Sequence, residues 1–398
     1  MKEKTILHID ANNFFVSCEL LMNPSLRGKS VCVLSNNDGC VVSRSYEAKK
    51  IGIPMGIPYF MARVQFKDTI FLSANFTLYH ELSARLMQML YNYSDKVDVY
   101  SIDEAFLDVS EIDLFFNLPF LEVAKKIKSD IESNLGVSVS VGISSSKMLA
   151  KLATHKAKMG QGTYVIEKNK IHSELERVKI EELWGVGKNI SRTLKSYGIF
   201  YANQILEKED NFYRTVFGKK GVELKYELSG ISVIPLTGIA RKPKSIQKTR
   251  AFPSFSDDKS YIRTEIMMHL HNVCKKLRHY NLKTSVISVM LRTKDFRVLY
   301  MDEKLDCYTN SELLLAKTVE KLFNSIFKTD IIYRSSGVMA FNLSDTTDYQ
   351  LNLFENKHAK KCERIAKVLD KIEDKYGAGV LLQGDNGIKS IQEKHRRK

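Results

Sequence analysis

The chain has 398 residues, 44% hydrophobic and 27% charged, which is enough for two to four domains with proper cores and ordinary for a soluble globular protein. Lys and Arg number 61 against 46 Asp and Glu, and this formal excess of +15 points to a polyanionic partner, most commonly nucleic acid. The opening MKEKTILHID lacks the apolar stretch of a signal peptide, the apolar run 82–90 is too short and too amphipathic to span a bilayer, and no two of the six cysteines form a C-x-x-C pair. The expectation is a cytoplasmic protein with no membrane partner, no zinc or redox motif, and thiols that are buried or partly buried.

In chain order, residues 5–10 read as a short buried strand that ends on Asp10. Segments 31–34 and 41–43 read as strands joined by the turn Asn36-Asn37-Asp38-Gly39, and a helix capped by Ser45 starts at Tyr46 and is ended by Gly52 and Pro54. Residues 75–93 have helical apolar spacing. Segments 97–101 and 105–109 read as strands with Asp103 and Glu104 at the reversal between them. A helix over 121–135, a strand over 137–143, a basic helix over 147–158 and a short strand at 164–166 follow. Beyond Lys168 the texture changes to short charged helices with glycine breaks, up to about 235, and GIARKPK at 238–244 reads as a linker. From 245 the order is strand, helix, strand, strand, helix, strand, near 245–252, 258–279, 284–294, 297–302, 310–327 and 332–343. This is the split β-α-β arrangement of ferredoxin-like domains. The tail after Asp345 is polar, and basic at its end.

Adjacent carboxylates on a strand point to opposite faces, but at a tight turn both can reach one cation. The Asp103-Glu104 pair lies between apolar strand residues (VYSIDEAFLDV), and Asp10 completes a cluster if the two strands are neighbours. Three hard oxygen ligands with open positions suit Mg²⁺, and two such ions would activate a hydroxyl and stabilise a departing pyrophosphate. A lone Asp-Glu dipeptide at a hairpin is more often a solvated turn; its apolar setting and the strand-terminal Asp10 favour the metal reading here. Asp108, a further nearby acid, reads as structural.

YSIDEAFLDV, Asp10 five residues before Phe15, SNNDGC at 35–40, SYEAK, and VGIS-x-x-K-x-x-A-K resemble the Y-family DNA polymerases, with SNNDGC most similar to their bacterial UmuC-like branch. The resemblance covers roughly 5–345, in order. It implies an α+β multidomain right hand: a ferredoxin-like catalytic palm over 1–12 and 77–168, small fingers over 13–76, a helical thumb over 169–237, a linker over 238–244, a βαββαβ little finger over 245–345, and a tail over 346–398. It implies Asp10, Asp103 and Glu104 as catalytic metal ligands, with the Ala11 carbonyl as a further one, for two Mg²⁺ ions or Mn²⁺ as a substitute. Phe15 matches the steric gate that excludes a 2′-hydroxyl, although without the motif it would pass for a core aromatic. Asn13 and Phe14 would offer backbone N–H groups to the triphosphate, and Tyr46, Lys49 and Lys158 match positions that bind its oxygens. Two departures stand out: Lys49 replaces a frequent arginine and loses the planar fork, and Asn12 replaces a frequent second aspartate.

Leu183-Trp184-Gly185-Val186-Gly187-Lys188 before an apparent helix looks like a helix-hairpin-helix element, in which Gly185, Gly187 and Lys188 would approach a DNA phosphate. Lys244, Lys248, Arg250, Arg292, Lys294, Arg297 and Arg334 suit sequence-independent, salt-sensitive phosphate contacts, or else a solvated basic face. The tail peptide Gln350-Leu351-Asn352-Leu353-Phe354 resembles the Q-L-x-L-F motif by which bacterial polymerases bind the sliding clamp, where Gln350, Leu351, Leu353 and Phe354 would fill a shallow apolar groove. The resulting expectation is an error-prone translesion polymerase of the DNA damage (SOS) response, joining dNTPs to a primer-template. A UmuD-like accessory subunit or a recombinase filament is a further partner that the resemblance raises. A non-catalytic DNA-binding scaffold would gain nothing from three carboxylates beside DNA, and a nucleotidyl cyclase would have no use for the helix-hairpin-helix or clamp motif.

Overall fold

The strand Ile6–Ala11 (β1) is buried along its whole length and forms the centre of a five-stranded sheet. In chain order the further strands of the amino-terminal part are β2 (Val31–Leu34), β3 (Val41–Arg44), β4 (Ile70–Ser73), β5 (Val97–Val99), β6 (Glu104–Asp108), β7 (Val139–Ser144) and β8 (Thr163–Val165). The central sheet runs β5-β6-β1-β7-β8, with β1 antiparallel to both neighbours and β8 parallel to β7. The computed structural model describes residues 4–237, 242–345 and 357–377, and contacts divide the chain into two units, Met1–Arg241 and Lys242–Lys398.

Side chains alternate across a strand, so β1 serves two environments. Leu7, Ile9 and Ala11 enter a large apolar core with the helices Phe14–Met22, Phe76–Leu90 and Phe120–Leu135. Ile6 joins Phe106 and Ala150 on the opposite face, where His8 meets Thr154 of the helix Lys147–Met159. That helix lies very close to β7 because position 142 is glycine: a Cβ there would come within 2.2 Å of the Thr154 nitrogen and 2.4 Å of the Ala150 carbonyl. Ser146 caps the helix by accepting from the Leu149 N–H.

The smaller sheet β3-β2-β4 carries its own cluster of Cys32, Leu34, Val41, Ala48 and Ile53, whereas Val31 and Val33, on the other face of β2, join the large core. Three elements here escape sequence periodicity. The helix Phe14–Met22 (FFVSCELLM) has almost no polar face, while β4 and the helix Tyr59–Gln65 are short and half exposed. Among the cysteines, Cys18, Cys32 and Cys274 are buried and Cys307 is exposed.

After β8 come short helices around Leu175, Ile180, Leu183, Leu194 and Tyr213. Glu227, fully buried, ties this region to the helix Lys147–Met159: its carboxylate accepts from the backbone N–H groups of Met148, Val233 and Ile234 at 3.2, 2.7 and 2.8 Å. Ser146 also donates to the Glu227 carbonyl.

The second unit contains β9 (Ile246–Ser256), β10 (Leu282–Thr293), β11 (Val298–Thr309) and β12 (Tyr333–Asp345), with helices Lys259–His279 and Glu312–Ile326 following β9 and β11. The sheet is antiparallel in the order β11-β10-β12-β9, so β12 splits the first β-α-β unit and β10 the second. Ile246, Phe252, Val289, Leu291, Val338 and Ala340 face the helices. β11 reaches Thr309 rather than 302; its last eight residues (DEKLDCYT) form a half-exposed edge strand and carry no apolar alternation. The helix Lys357–Tyr376 is not foreshadowed by the polar composition of the tail. Arg278 grips Asp370 with two nitrogens at 2.5 and 2.7 Å, and His271 lies between Glu312 and Glu373 at 2.8 and 3.2 Å. No helix among the described residues is long and apolar enough to cross a membrane.

Candidate active site

Asp10 and Glu104 are direct register partners on β1 and β6, and cross-strand partners project to the same face. The Ala11 N–H bonds to the Asp103 carbonyl at 2.9 Å, which fixes the reversal carrying Asp103 beside the end of β1. Residues far apart in sequence therefore bring three carboxylates to one end of the sheet.

Each acid already has a partner. Lys158 Nζ lies 2.6 Å from Asp10 Oδ1, Lys151 Nζ lies 2.7 Å from Glu104 Oε2, and Ser101 Oγ donates to Asp103 Oδ1 at 2.5 Å. Burial pushes Asp10 up to about 6, against the pull of Lys158 and with the help of its hydrogen bond to Glu104. Burial acts upward on Glu104 too, but the Lys151 ammonium at 2.7 Å and the hydrogen bond with Asp10 hold that carboxyl well below the usual range. Burial lowers His8 to about 4, so its ring is neutral near pH 7. His8 Nδ1 pairs with Thr154 at 2.9 Å, while Nε2 stands 3.9 Å from Glu104, beyond hydrogen-bond reach.

Among the described residues no three His, Cys, Asp or Glu side chains converge tightly enough to cage a metal ion. The donor chemistry nevertheless fits hard divalent cations. The Asp10 and Glu104 carboxylates are adjacent, the Asp10 carboxylate is disfavoured by burial, and two ammonium groups supply the positive charge the pair demands.

Beside the acids, Asn13 adopts a left-handed conformation (φ 51) that turns the chain from β1 into the helix Phe14–Met22. Its side chain does not cap that helix; of the first-turn amides, Val16 N–H donates to Ser43 Oγ at 3.4 Å. Lys49 Nζ instead donates to Asn13 Oδ1 and sits 5.3 Å from the ring centroid of Tyr46, which is exposed. Asn12, in place of the frequent aspartate, is locked to β7 by Ser140 and Ser138 at 2.9 and 3.1 Å. Phe15 stacks on buried Tyr79 with centroids 4.5 Å apart and planes 13° apart, and Tyr79 donates to Glu19 at 2.5 Å. Asn13, Phe14, Phe15, Tyr46, Lys49 and Lys158 thus gather around the acidic end of the sheet.

The expected DNA contacts divide. Gly185, with φ +84, makes the turn before the helix Lys188–Ser196, and Gly185, Gly187 and Lys188 are all exposed. Lys248 and Arg250 share a face of β9 with buried Ile246 and Phe252, and both add to the effect of burial in lowering His269 on the helix beneath. They therefore lie on the helix side of the sheet, whereas Arg292 pairs across with Ser335 and Ala251 on the open side. The two-residue strand period thus sends these basic residues of one sheet to opposite faces. Lys244, Lys294 and Arg297 are exposed; Arg297 pairs with Asp295 at 2.8 Å, and the Arg334 guanidinium lies 3.8 Å from the Phe296 ring centroid. Gln350, Leu351, Leu353 and Phe354 lie outside the described residues.

Five further contributors, Lys151, His8, Thr154, Ser101 and the Tyr79–Glu19 support, carry no assignment from sequence reasoning. Lys151 is visible in principle as the final lysine of VGIS-x-x-K-x-x-A-K. The pairing of Tyr79 with Phe15 depends on the packing of two helices and has no local signal.

Residues 9–155 match the impB/mucB/samB family, and residues 243–353 match the impB/mucB/samB family C-terminal domain. The chain is 32% identical to Protein SamB of Salmonella typhimurium over 394 residues, covering 95% of this chain and 92% of that protein. The chain belongs to this family. It is also 30% identical to Protein UmuC of Salmonella typhimurium over 396 residues, covering 95% and 93%, and 30% identical to DNA polymerase IV of Staphylococcus aureus over 357 residues, covering 89% and 99%. Among solved structures, a Y-family DNA polymerase chimera of Dbh and Dpo4 superposes with a TM-score of 0.71 at 27% identity, covering 86% of this chain and 99% of that one. These matches place the chain in the UmuC-like branch of the Y-family.

Proposed function

We propose that this protein is a DNA-directed DNA polymerase that performs translesion synthesis, extending a primer 3′-OH with dNTPs at the Asp10, Asp103 and Glu104 cluster. The observation that carries the reading is the register pairing of Asp10 with Glu104, with Asp103 bonded through its backbone to Ala11. Family membership supports it, as does the likeness to an insertion ternary complex of Dbh DNA polymerase (TM-score 0.58, 27% identity).

Asp10, Asp103 and Glu104, with the Ala11 carbonyl, would hold two Mg²⁺ ions, or Mn²⁺, which when bound supply activation of the attacking hydroxyl and charge stabilisation for the leaving pyrophosphate. The chain's own groups perform the rest. Lys49, Lys158, Tyr46 and the amides at Asn13 and Phe14 bind triphosphate oxygens. The Phe15 ring, backed by Tyr79, occupies the space a 2′-hydroxyl would need. The turn at Gly185 and Gly187 grips a backbone phosphate, and the exposed basic residues Lys244, Lys294 and Arg297 add contacts that ignore sequence. Palm, fingers, thumb and little finger correspond in this reading to 1–12 with 77–168, 13–76, 169–237 and 245–345. Gln350, Leu351, Leu353 and Phe354 bind a bacterial sliding clamp, and a UmuD-like subunit or recombinase filament is a further partner to assay.

The test is primer extension on undamaged and lesion-bearing templates, with and without clamp. Extension past a lesion by the wild type but not by Asp10→Asn supports the proposal. Equal extension by both removes the acidic cluster from catalysis.

A further inference from the structure

We propose that His155 is a phosphate-binding residue of this same site, an inference that rests on the polymerase reading. The helix Lys147–Met159 presents Lys151, His155 and Lys158 at i, i+4 and i+7, which stacks them on one stripe. All three line a cavity of about 280 Å³ that is also walled by Asp10, Glu104 and Trp184.

The outer two members of the stripe are engaged, Lys151 with Glu104 at 2.7 Å and Lys158 with Asp10 at 2.6 Å. His155 is exposed and has no side-chain partner among the described residues. Both neighbouring acids already have an ammonium, so a third cation-like group is not needed for them. An imidazole N–H held between two lysines at the rim of a cavity is arranged to donate to an anionic oxygen entering it. In a nucleotidyl-transfer site two phosphate sources reach that position, the triphosphate of the incoming nucleotide and the terminal phosphodiester of the primer. The chemistry required of His155 is the same for both: an N–H donated to a phosphate oxygen.

The experiment uses the full chain with His155→Ala and His155→Asn, the second of which keeps a donor. Single-nucleotide insertion is measured at saturating primer-template, and primer-template affinity is measured separately across a salt series. A triphosphate contact raises KM for dNTP roughly tenfold in His155→Ala with kcat changed less than about twofold, and His155→Asn recovers part of the loss. A primer contact instead weakens DNA binding across the salt series in His155→Ala, and His155→Asn recovers part of that loss. Either result supports the assignment, provided the melting temperature is unchanged. If KM and DNA affinity both stay within about twofold of wild type, the assignment is overturned. Failure of the underlying reading has a different signature, since the wild type itself would then extend no primer, and the role of His155 would fall with it.

Discussion

The Phe15 ring lies nearly parallel to that of Tyr79, 4.5 Å away, and Tyr79 is itself fixed by a hydrogen bond to Glu19. A side chain that selects sugars by bulk must not yield, and Phe76, edge-on at 5.9 Å, adds a second support. Phe15→Ala should admit ribonucleotides, lowering dNTP-over-rNTP discrimination at least about tenfold. Tyr79→Phe, which keeps the stacked ring, should hold discrimination within about twofold of wild type. Incorporation ratios from matched dNTP and rNTP insertion assays decide both, and unchanged selectivity in Phe15→Ala removes the gate from this position.

Asp103→Ala should reduce primer extension by roughly 10³-fold or more while primer-template affinity stays intact. Gel-shift and extension assays on one preparation separate the two properties. Substantial extension by this variant would sink the metal assignment.

Lys49 and Lys158 approach the acidic end of the sheet from different elements, so their losses should both appear in nucleotide affinity. Lys158→Ala and Lys49→Ala should each raise KM for dNTP about tenfold, the value of one charge-assisted hydrogen bond. Lys49→Arg should be tolerated, because the position is exposed and the planar fork can still reach phosphate. A kcat loss with unaltered KM would argue against a binding role.

Much of this site is legible in the sequence. Asp10, Asp103, Glu104, Phe15, Tyr46 and Lys49 each sit in a short local motif, and the strand pattern lets β1 and the 103–104 reversal meet if they are adjacent. What stays hidden depends on contacts between remote segments. The pairing of Lys151 with Glu104 needs Gly142 to let a helix approach β7, and no local pattern announces that. The little-finger order is legible because its strands and helices are long and periodic. The facing of Lys248 and Arg250 is not, because basic charge alone, taken without strand parity, does not say which side of a sheet it occupies. The helix Phe14–Met22 escapes notice because a segment apolar on nearly every side has no period to detect.

Glu227→Ala should cost about 2–3 kcal/mol, because it strands one buried and two half-buried amides that now share one carboxylate. Urea unfolding of the variant against wild type measures it. A loss below about 1 kcal/mol would mean that water or a neighbour replaces the carboxylate.

His271 is raised above its ordinary 6.5, chiefly by its hydrogen bond to Glu312, with burial opposing and Glu373 assisting. A histidine raised on folding stabilises the folded arrangement fully below 6.5 and loses that contribution as pH climbs through the raised value. Docking of the helix Lys357–Tyr376 should therefore weaken as pH rises from 6.5 through the raised value. Hydrogen exchange in 365–377 across that window, compared with His271→Gln, reads it out. Exchange that ignores pH, or a variant that keeps the wild-type dependence, would refute the latch.

Trp184 is the sole tryptophan of the chain, and its indole N–H donates to the Tyr100 hydroxyl at 3.0 Å while its ring rests 5.6 Å from Phe106 and 5.8 Å from the Lys151 ammonium. Nature has thereby installed a single tryptophan reporter, separated from Glu104 only by Lys151. Its emission colour and quenching will follow how the segment carrying Gly185 and Gly187 seats itself against the catalytic strands. Stopped-flow optics can then time that seating in the unlabelled, unmodified enzyme.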